Sequence, residues 1–287
     1  MSNNPFAKLP EVGGTIMKPI NEQTILVTGA TDGIGKQTAI DLAARGATVI
    51  VHGRSDERGK AAVEQIVRLT ANEKVRFHKA DFSSLAEVRR LAAEVQNKYD
   101  SLDVLINNAG TAGPGQRALS RDGHELVLAV NYLTPFLLTG LLLPMLEANS
   151  ARIVNVASAG QTRIDLSNLM LERGYSPLGA YQQSKLAIVA FTFELAKTFR
   201  STGITCNCLH PGTFLDTKMV RESGVTPLGS VRSGADAVVQ LAVSAELEGV
   251  TGRYYDRKKE SRADKQAYDD EFRRRLWELS ARLTGLE

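Results

Sequence analysis

Short apolar runs of strand length alternate with amphipathic runs of helical spacing through most of this sequence, and that order leaves few folds open. "TILVTG" (24–29) precedes "GKQTAIDLAARGA", "TVIVHG" precedes "DERGKAAVEQIVRLT", and "KVRFHKAD" precedes "SLAEVRRLAAEVQNKY". "LDVLINNAG" is a fourth strand, and a long helix is expected around 122–147. "RIVNVAS" (152–158), an irregular stretch over 159–178 and a helix beginning near Tyr181 follow. "ITCNCLH" (204–210), a loop, a helix ending near Ala245 and a last strand at "GRYYD" complete the series. Strands and helices in strict alternation, joined by short connections, form a parallel sheet covered on both faces.

No linker, repeat or low-complexity break interrupts the pattern, so one domain is expected over 23–256. Residues 1–22, rich in Pro, Gly and Asn, form an arm, and 257–287 form a charged helical extension packed on the same domain. Lys+Arg 35 against Asp+Glu 32 gives a formal +3, too slight a charge to argue for nucleic acid. The two cysteines, Cys206 and Cys208, stand too close in sequence for good disulfide geometry. They read as small apolar residues of a buried strand, with a metal or redox pair as the weaker alternative. No N-terminal apolar segment of signal-peptide length is present, and the apolar stretch at 132–146 is too short to span a bilayer. A soluble, cytoplasmic protein without a membrane anchor is expected.

Between the first strand and first helix lies "TGATDGIG" (28–35), with glycines at 29, 33 and 35. Gly29 permits a tight turn, Gly33 admits the backbone to a pyrophosphate, and Gly35 brings helix against strand, while the helix N-terminus faces the negative charge. Thr31, Asp32 and Ile34 lie in the same turn. At the end of the second strand, where an acidic residue usually reads the ribose of NAD, the sequence has Gly53 and Arg54. The planar fork of Arg54 suits a 2′-phosphate, although Asp32 adds an opposing negative charge. NADP(H) is therefore the preferred cofactor, with NAD(H) possible. These features predict an α/β, single-domain, doubly wound Rossmann fold with a mostly parallel seven-stranded sheet.

Tyr-x-x-x-Lys occurs three times, at Tyr181/Lys185, Tyr254/Lys258 and Tyr255/Lys259. Only the first lies in a helical pattern, where residues four apart share a face. Here the sequence resembles the short-chain dehydrogenase/reductase family, over essentially 23–256. The motifs stand in family order: "TGATDGIG", "ADF" (80–82), "NNAG" (107–110), "VNYLTPF" (130–136), "NVAS" (155–158), "YQQSK" (181–185) and "HPGT" (210–213). The wording "AYQQSKLA" and "LEGVTGRYY" is most similar to the retinol-dehydrogenase-like branch.

The resemblance implies an oxidoreductase in which Tyr181 is the general acid and Lys185 both favours its phenolate and holds the nicotinamide ribose. Ser158 would polarise the substrate oxygen, and Ala157 leaves it as the one hydroxyl at that strand end. Asn131, beside Pro135, would hold a water linking Lys185 to solvent, or simply mark a kink. Asn107, Asn108, Ala109 and Gly110 would line the adenosine ribose, Asp81 and Phe82 would meet the adenine, and Pro211, Gly212 and Thr213 would flank the carboxamide, with Thr217 as an alternative to Thr213. Leu166, Leu169, Met170, Phe214, Met219 and Val220 offer an apolar pocket for the substrate, or pack their loops against the body, the more ordinary fate for any one of them. The expected reaction interconverts a carbonyl and an alcohol on an apolar small molecule; a catalytically idle NADP(H)-binding regulatory protein is the alternative. Relatives imply a homodimer or homotetramer paired through the helices at 122–147 and 180–200.

Overall fold

The computed structural model describes Phe6, residues 17–147 and residues 150–286. Of the arm expected over 1–22, everything except Phe6 and residues 17–22 lies outside the described residues. The elements run β1 (Thr24–Val27), α1 (Gly33–Ala44), β2 (Thr48–Gly53), α2 (Asp56–Thr70), β3 (Val75–Lys79), α3 (Leu85–Lys98) and β4 (Val104–Asn107). Next come α4 (Leu126–Leu128), a π-helical stretch (Ala129–Leu133), α5 (Thr134–Glu147), β5 (Arg152–Val156), α6 (Pro177–Thr198) and β6 (Thr205–His210). The series ends with α7 (Lys218–Glu222), α8 (Val231–Val243), β7 (Tyr254–Asp256), β8 (Lys259–Ser261) and α9 (Asp270–Thr284).

The eight strands lie in the order β3-β2-β1-β4-β5-β6-β7-β8. Seven pair in parallel as expected, and β8 adds an antiparallel edge that the sequence pattern does not announce. Both faces of the central strands are buried, which is why they read as unbroken apolar runs. Ile25 and Val27 pack with Leu42 of α1 and Val238 of α8. Leu26 faces the other way, into a larger core with Leu91 of α3, Phe136 of α5 and Phe191 of α6. The strand order reverses between β1 and β4, and the crevice at that switch point is where such sheets receive ligands.

The apolar helix is longer than the stretch at 132–146, because residues from Leu126 onward join it. The resulting run, Leu126–Leu146, has 21 residues and is long and apolar enough to cross a membrane, yet 83% of its apolar window is buried inside the fold. It serves here as a core helix. Beyond the β7–β8 hairpin, α9 lies on α6 and the π-helical stretch. Trp277 meets Phe136 at 5.0 Å, Phe191 at 5.8 Å and Phe6 at 4.6 Å between ring centroids. Arg273 pairs with Glu194 of α6 at 3.0 Å, and Tyr132 and Ser280 share a hydrogen bond of 2.7 Å.

Candidate active site

The glycine turn is built from contacts between β1 and β4. The Thr28 hydroxyl donates to the Ile106 carbonyl at 3.2 Å and accepts from the amides of Asn108 and Ala109 at 2.9 and 3.0 Å. The Asn108 amide group donates back to the Thr28 carbonyl at 2.8 Å. A Cβ on Gly29 would stand 2.8 Å from Ala109 Cα, and one on Gly35 would stand 2.4 Å from Asn108 Nδ2. Gly29 and Gly33 also hold φ of +65° and +53°, where a side chain is strained. Thr31 packs over Gly53, whose Cβ would lie 2.5 Å from its methyl. Ile34 lies beside Gly234 of α8, and Thr217 lies 3.4 Å from the Cβ position of Gly33. Thr217 thus borders the glycine turn, while Thr213 hydrogen bonds to His210 at 3.1 Å. Pro211 and Gly212 follow β6, and the +140° φ of Gly212 suits only glycine.

At the ribose end three of the expected residues are engaged within the fold. Asp32 is not a free negative charge. It caps α1 by accepting from the Gly33 amide at 2.7 Å, and its other oxygen pairs with Arg58 at 2.8 Å. Phe82 is 6% exposed and its ring stacks on His52 at 4.0 Å, so its ring is already engaged within the fold. Asn107 lies inside the sheet, donating to Asn155 at 2.8 Å and to Thr139 at 3.3 Å. Arg54 is exposed just past β2. Asp81 accepts from the Ser83 amide at 3.0 Å and pairs with Arg121 at 3.3 Å. Burial raises the Asp81 carboxyl, but the Ser83 hydrogen bonds and the charges of Arg121 and Arg54 outweigh it and leave the group below its ordinary value.

At the other end, Ser176 accepts from the Gly179 amide at 3.1 Å and Pro177 opens the first turn of α6. One turn on, Tyr181 and Lys185 share a face, with Lys185 Nζ 5.6 Å from the Tyr181 ring centroid. Nζ donates to the Val156 carbonyl at 2.9 Å. Ser158 follows β5 and accepts from the Gly160 amide at 3.1 Å, and its hydroxyl lies near enough to the Tyr181 phenol to lower it. Its carbonyl is held by Tyr254 at 3.2 Å and by Gln161 at 2.8 Å. Gly110 leaves space beside both Asn131 and Lys185, since a Cβ there would lie 3.4 Å from Asn131 Oδ1 and 3.7 Å from Nζ. Asn131 sits in the π-helical stretch, accepts from the Thr111 amide at 2.8 Å and donates to Ser184 at 2.9 Å. Pro135 has no N–H to give the Asn131 carbonyl, so that oxygen lacks its ordinary helical donor.

Burial dominates the electrostatics of the pair. It pushes the Tyr181 phenol above its ordinary value, against the pull of the nearby Ser158 hydroxyl, and it lowers the Lys185 ammonium to about 8. Burial and the Ser158 hydroxyl are the two causes that set the phenol here. In the loop over 159–178, packing against the body is the fate of the three apolar residues named from the sequence. Leu169 is buried, Leu166 packs on the core, and Met170 Sδ accepts from the Glu125 amide at 3.4 Å. These residues fasten the loop to the body. Met219 and Val220 are half-buried on α7, whereas Phe214 is exposed with φ of +46°. A cavity of about 300 Å³ opens beside Ala159 and Gln161, with Tyr254, Asp256, Arg262 and Asp264 on its walls. Cys206 and Cys208 are fully buried in β6, and burial raises both thiols, Cys208 to about 12.

The glycine-lined crevice at the switch point, the N-terminus of α1 and the Lys185–Gly110 opening form one cradle that side chains would fill, and it fits a dinucleotide. Residues 23–227 match the short chain dehydrogenase family. The chain belongs to that family. It is 40% identical to human retinol dehydrogenase 13 over 284 residues, covering 92% of this chain and 85% of the relative. It is 36% identical to human polyprenol dehydrogenase over 290 residues, covering 94% and 88%. A solved structure of an uncharacterized protein from Mycobacterium paratuberculosis superposes with a TM-score of 0.77 at 32% identity, covering 94% of this chain and 96% of that one. A short chain dehydrogenase from Shigella flexneri 2a complexed with NADP superposes with a TM-score of 0.67 at 26% identity, covering 85% and 100%. The protein is thus a dehydrogenase/reductase of a family that works with NAD(P)(H).

Three residues at the cofactor end escape sequence reading. Thr28 stands inside the quoted glycine motif but carries no signal of its own. Arg58 reaches Asp32 from a separate helix, and His52 looks like any residue of a buried strand.

Proposed function

We propose that this dehydrogenase/reductase uses NADP(H) to interconvert a carbonyl and a primary or secondary alcohol on an apolar small molecule. The observation that carries the reading is the meeting of Ser158, Tyr181 and Lys185 from two elements, with the Ser158 hydroxyl near enough to the Tyr181 phenol to lower it and Lys185 Nζ 5.6 Å from the Tyr181 ring centroid. Bound nicotinamide supplies the hydride donor or acceptor. In the reducing direction Tyr181, kept protonated by burial, gives its proton to the oxygen as charge develops there. Ser158 donates a second hydrogen bond to the same oxygen, a fixed dipole that counts most where water is excluded. Lys185, cationic at neutral pH with its pKa near 8, stabilises the phenolate left behind and holds the nicotinamide ribose. The Asn131 carbonyl holds the water through which the pair is reprotonated.

The preference for NADP(H) is supported by two guanidinium groups at the ribose end, Arg54 and Arg58, and by the pairing of Asp32 with Arg58. The NADP bound to the Shigella relative points the same way. Two human relatives are named as dehydrogenases of retinol and of polyprenol, both apolar alcohols. Exposed Phe214 and Leu228 supply apolar surface beside the loop after β6. The test is oxidation of NADPH and of NADH by the purified protein with an isoprenoid aldehyde and with a short polar aldehyde. Faster turnover with NADPH and the isoprenoid aldehyde is expected. Faster turnover with NADH would overturn the cofactor assignment, and preference for the polar aldehyde would overturn the substrate class.

A further inference from the structure

His52 is 3% exposed and sits one residue before the end of β2, in a strand that is otherwise apolar up to that point. A buried imidazole in such a strand needs partners for both nitrogens. Its Nδ1 accepts from the Gly29 amide at 3.2 Å, and its Nε2 lies 3.1 Å from the Ala80 carbonyl. A carbonyl only accepts and an amide only donates, so Nε2 carries the proton and Nδ1 the lone pair. One face of the ring stacks on Phe82 at 4.0 Å with planes 17° apart. Its carbonyl accepts from the Ala30 amide at 2.8 Å, a second tie to the same turn. Burial lowers the imidazole to about 4, which keeps it neutral in ordinary conditions.

One side chain therefore joins the glycine turn after β1, the end of β2 and the loop after β3. Gly29 holds φ of +65° at the mouth of the crevice, and its amide is fixed on His52 rather than left to water. We infer that His52 is a positioning residue for the dinucleotide: the neutral imidazole locks the Gly29 peptide and the Asp81–Phe82 loop in one mutual arrangement, so that the adenosine half meets a preformed cradle. Preorganisation of this kind strengthens binding by removing an ordering cost, and it leaves the hydride step untouched. The inference rests on the reading that the cofactor lies on the glycine turn.

Substitutions can separate this from simple packing. His52→Asn places an amide oxygen where Nδ1 stands and keeps the acceptor for Gly29, but loses ring volume and the Phe82 stack. His52→Phe keeps volume and stacking and loses both hydrogen bonds. The full chain and both variants are titrated with NADPH by fluorescence, with kcat measured at saturating NADPH. If His52 positions the turn, His52→Phe weakens NADPH binding by about ten-fold, the equivalent of one lost hydrogen bond. His52→Asn stays within a few-fold of the parent, and kcat is unchanged in both. The reverse order, with Phe tolerated and Asn damaging, would show a packing role and overturn the inference. Should the Phe variant not fold, His52→Gln, which reaches Ala80 but places no acceptor beside Gly29, takes its place with the same expected loss. A parent protein that binds neither NADPH nor NADH would instead overturn the cofactor reading, and the inference with it.

Discussion

Lys185 is a residue whose chemistry opposes its comfort in the fold. Burial takes its pKa from 10.5 to about 8, a cost of about 3 kcal/mol at neutral pH. Replacing it by methionine removes that cost but leaves the Val156 carbonyl without its donor, which returns about 1–3 kcal/mol. Lys185→Met should therefore be at least as stable as the parent in urea at pH 7, and inactive. The folded-state pKa lies below the unfolded one, so the penalty is complete below about pH 8 and is lost as pH rises to 10.5. Any gain in the variant should fade over that window, and a marked loss at pH 7 would make Lys185 structural. Tyr181, raised by burial, stays protonated through neutral pH. Reduction rates should then be flat near neutrality while alcohol oxidation climbs with rising pH; initial rates in both directions check this, and oxidation fastest in acid would contradict it. The Ser158, Tyr181 and Lys185 set is legible from sequence because its members sit in short motifs. His52 and the Asp32–Arg58 pair are not, since each depends on chain segments that only the folded sheet brings together.

Among elements, the β1–turn–α1 unit owes its shape to close approach as much as to ligand binding. Gly35 faces Asn108 Nδ2 at 2.4 Å and the Gly29 carbonyl at 2.5 Å from its Cβ position. The Gly29 carbonyl is backbone and Asn108 Nδ2 is tied to the Thr28 and Gly29 carbonyls, so Gly35→Ala must move backbone. A loss of about 2 kcal/mol is expected in urea unfolding, together with weakened NADPH binding; unchanged values for both would show that the turn relaxes freely. The parallel strands are readable in advance because both of their faces are buried and the apolar run is continuous. β8 is not, because Lys259, Glu260 and Ser261 are all exposed and carry no pattern. The π-helical stretch around Asn131 is equally silent, since its residues would suit an α-helix just as well.

For the whole molecule, the C-terminal extension changes which surfaces are available. Trp277, Phe6 and Arg273 pack against α5 and α6, the two helices that the family resemblance implies for pairing. The charge-rich sequence of 257–287 hides this, because the side chains that dock α9 are interleaved with solvated ones. Arg273 is 8% exposed in its side chain and also donates to the Ala267 carbonyl at 2.9 Å. Arg273→Ala strands a mostly buried Glu194 carboxylate, and unfolding experiments should show a loss of about 3 kcal/mol. A loss below about 0.5 kcal/mol would mean that the pair behaves as an exposed one. Trp277 is the one tryptophan of the chain, so its fluorescence reports on α9 alone. Acrylamide quenching should stay low at every protein concentration; quenching that grows as the protein associates would show α9 leaving that face.

Tyr181 is proposed to perform proton chemistry beside a bound dinucleotide. The most direct measurement compares NADPH affinity and carbonyl turnover for the parent and for Tyr181→Phe. NADPH affinity should be nearly unchanged and turnover abolished. Turnover retained in Tyr181→Phe would contradict it, as would a loss of NADPH binding as large as that of Lys185→Met.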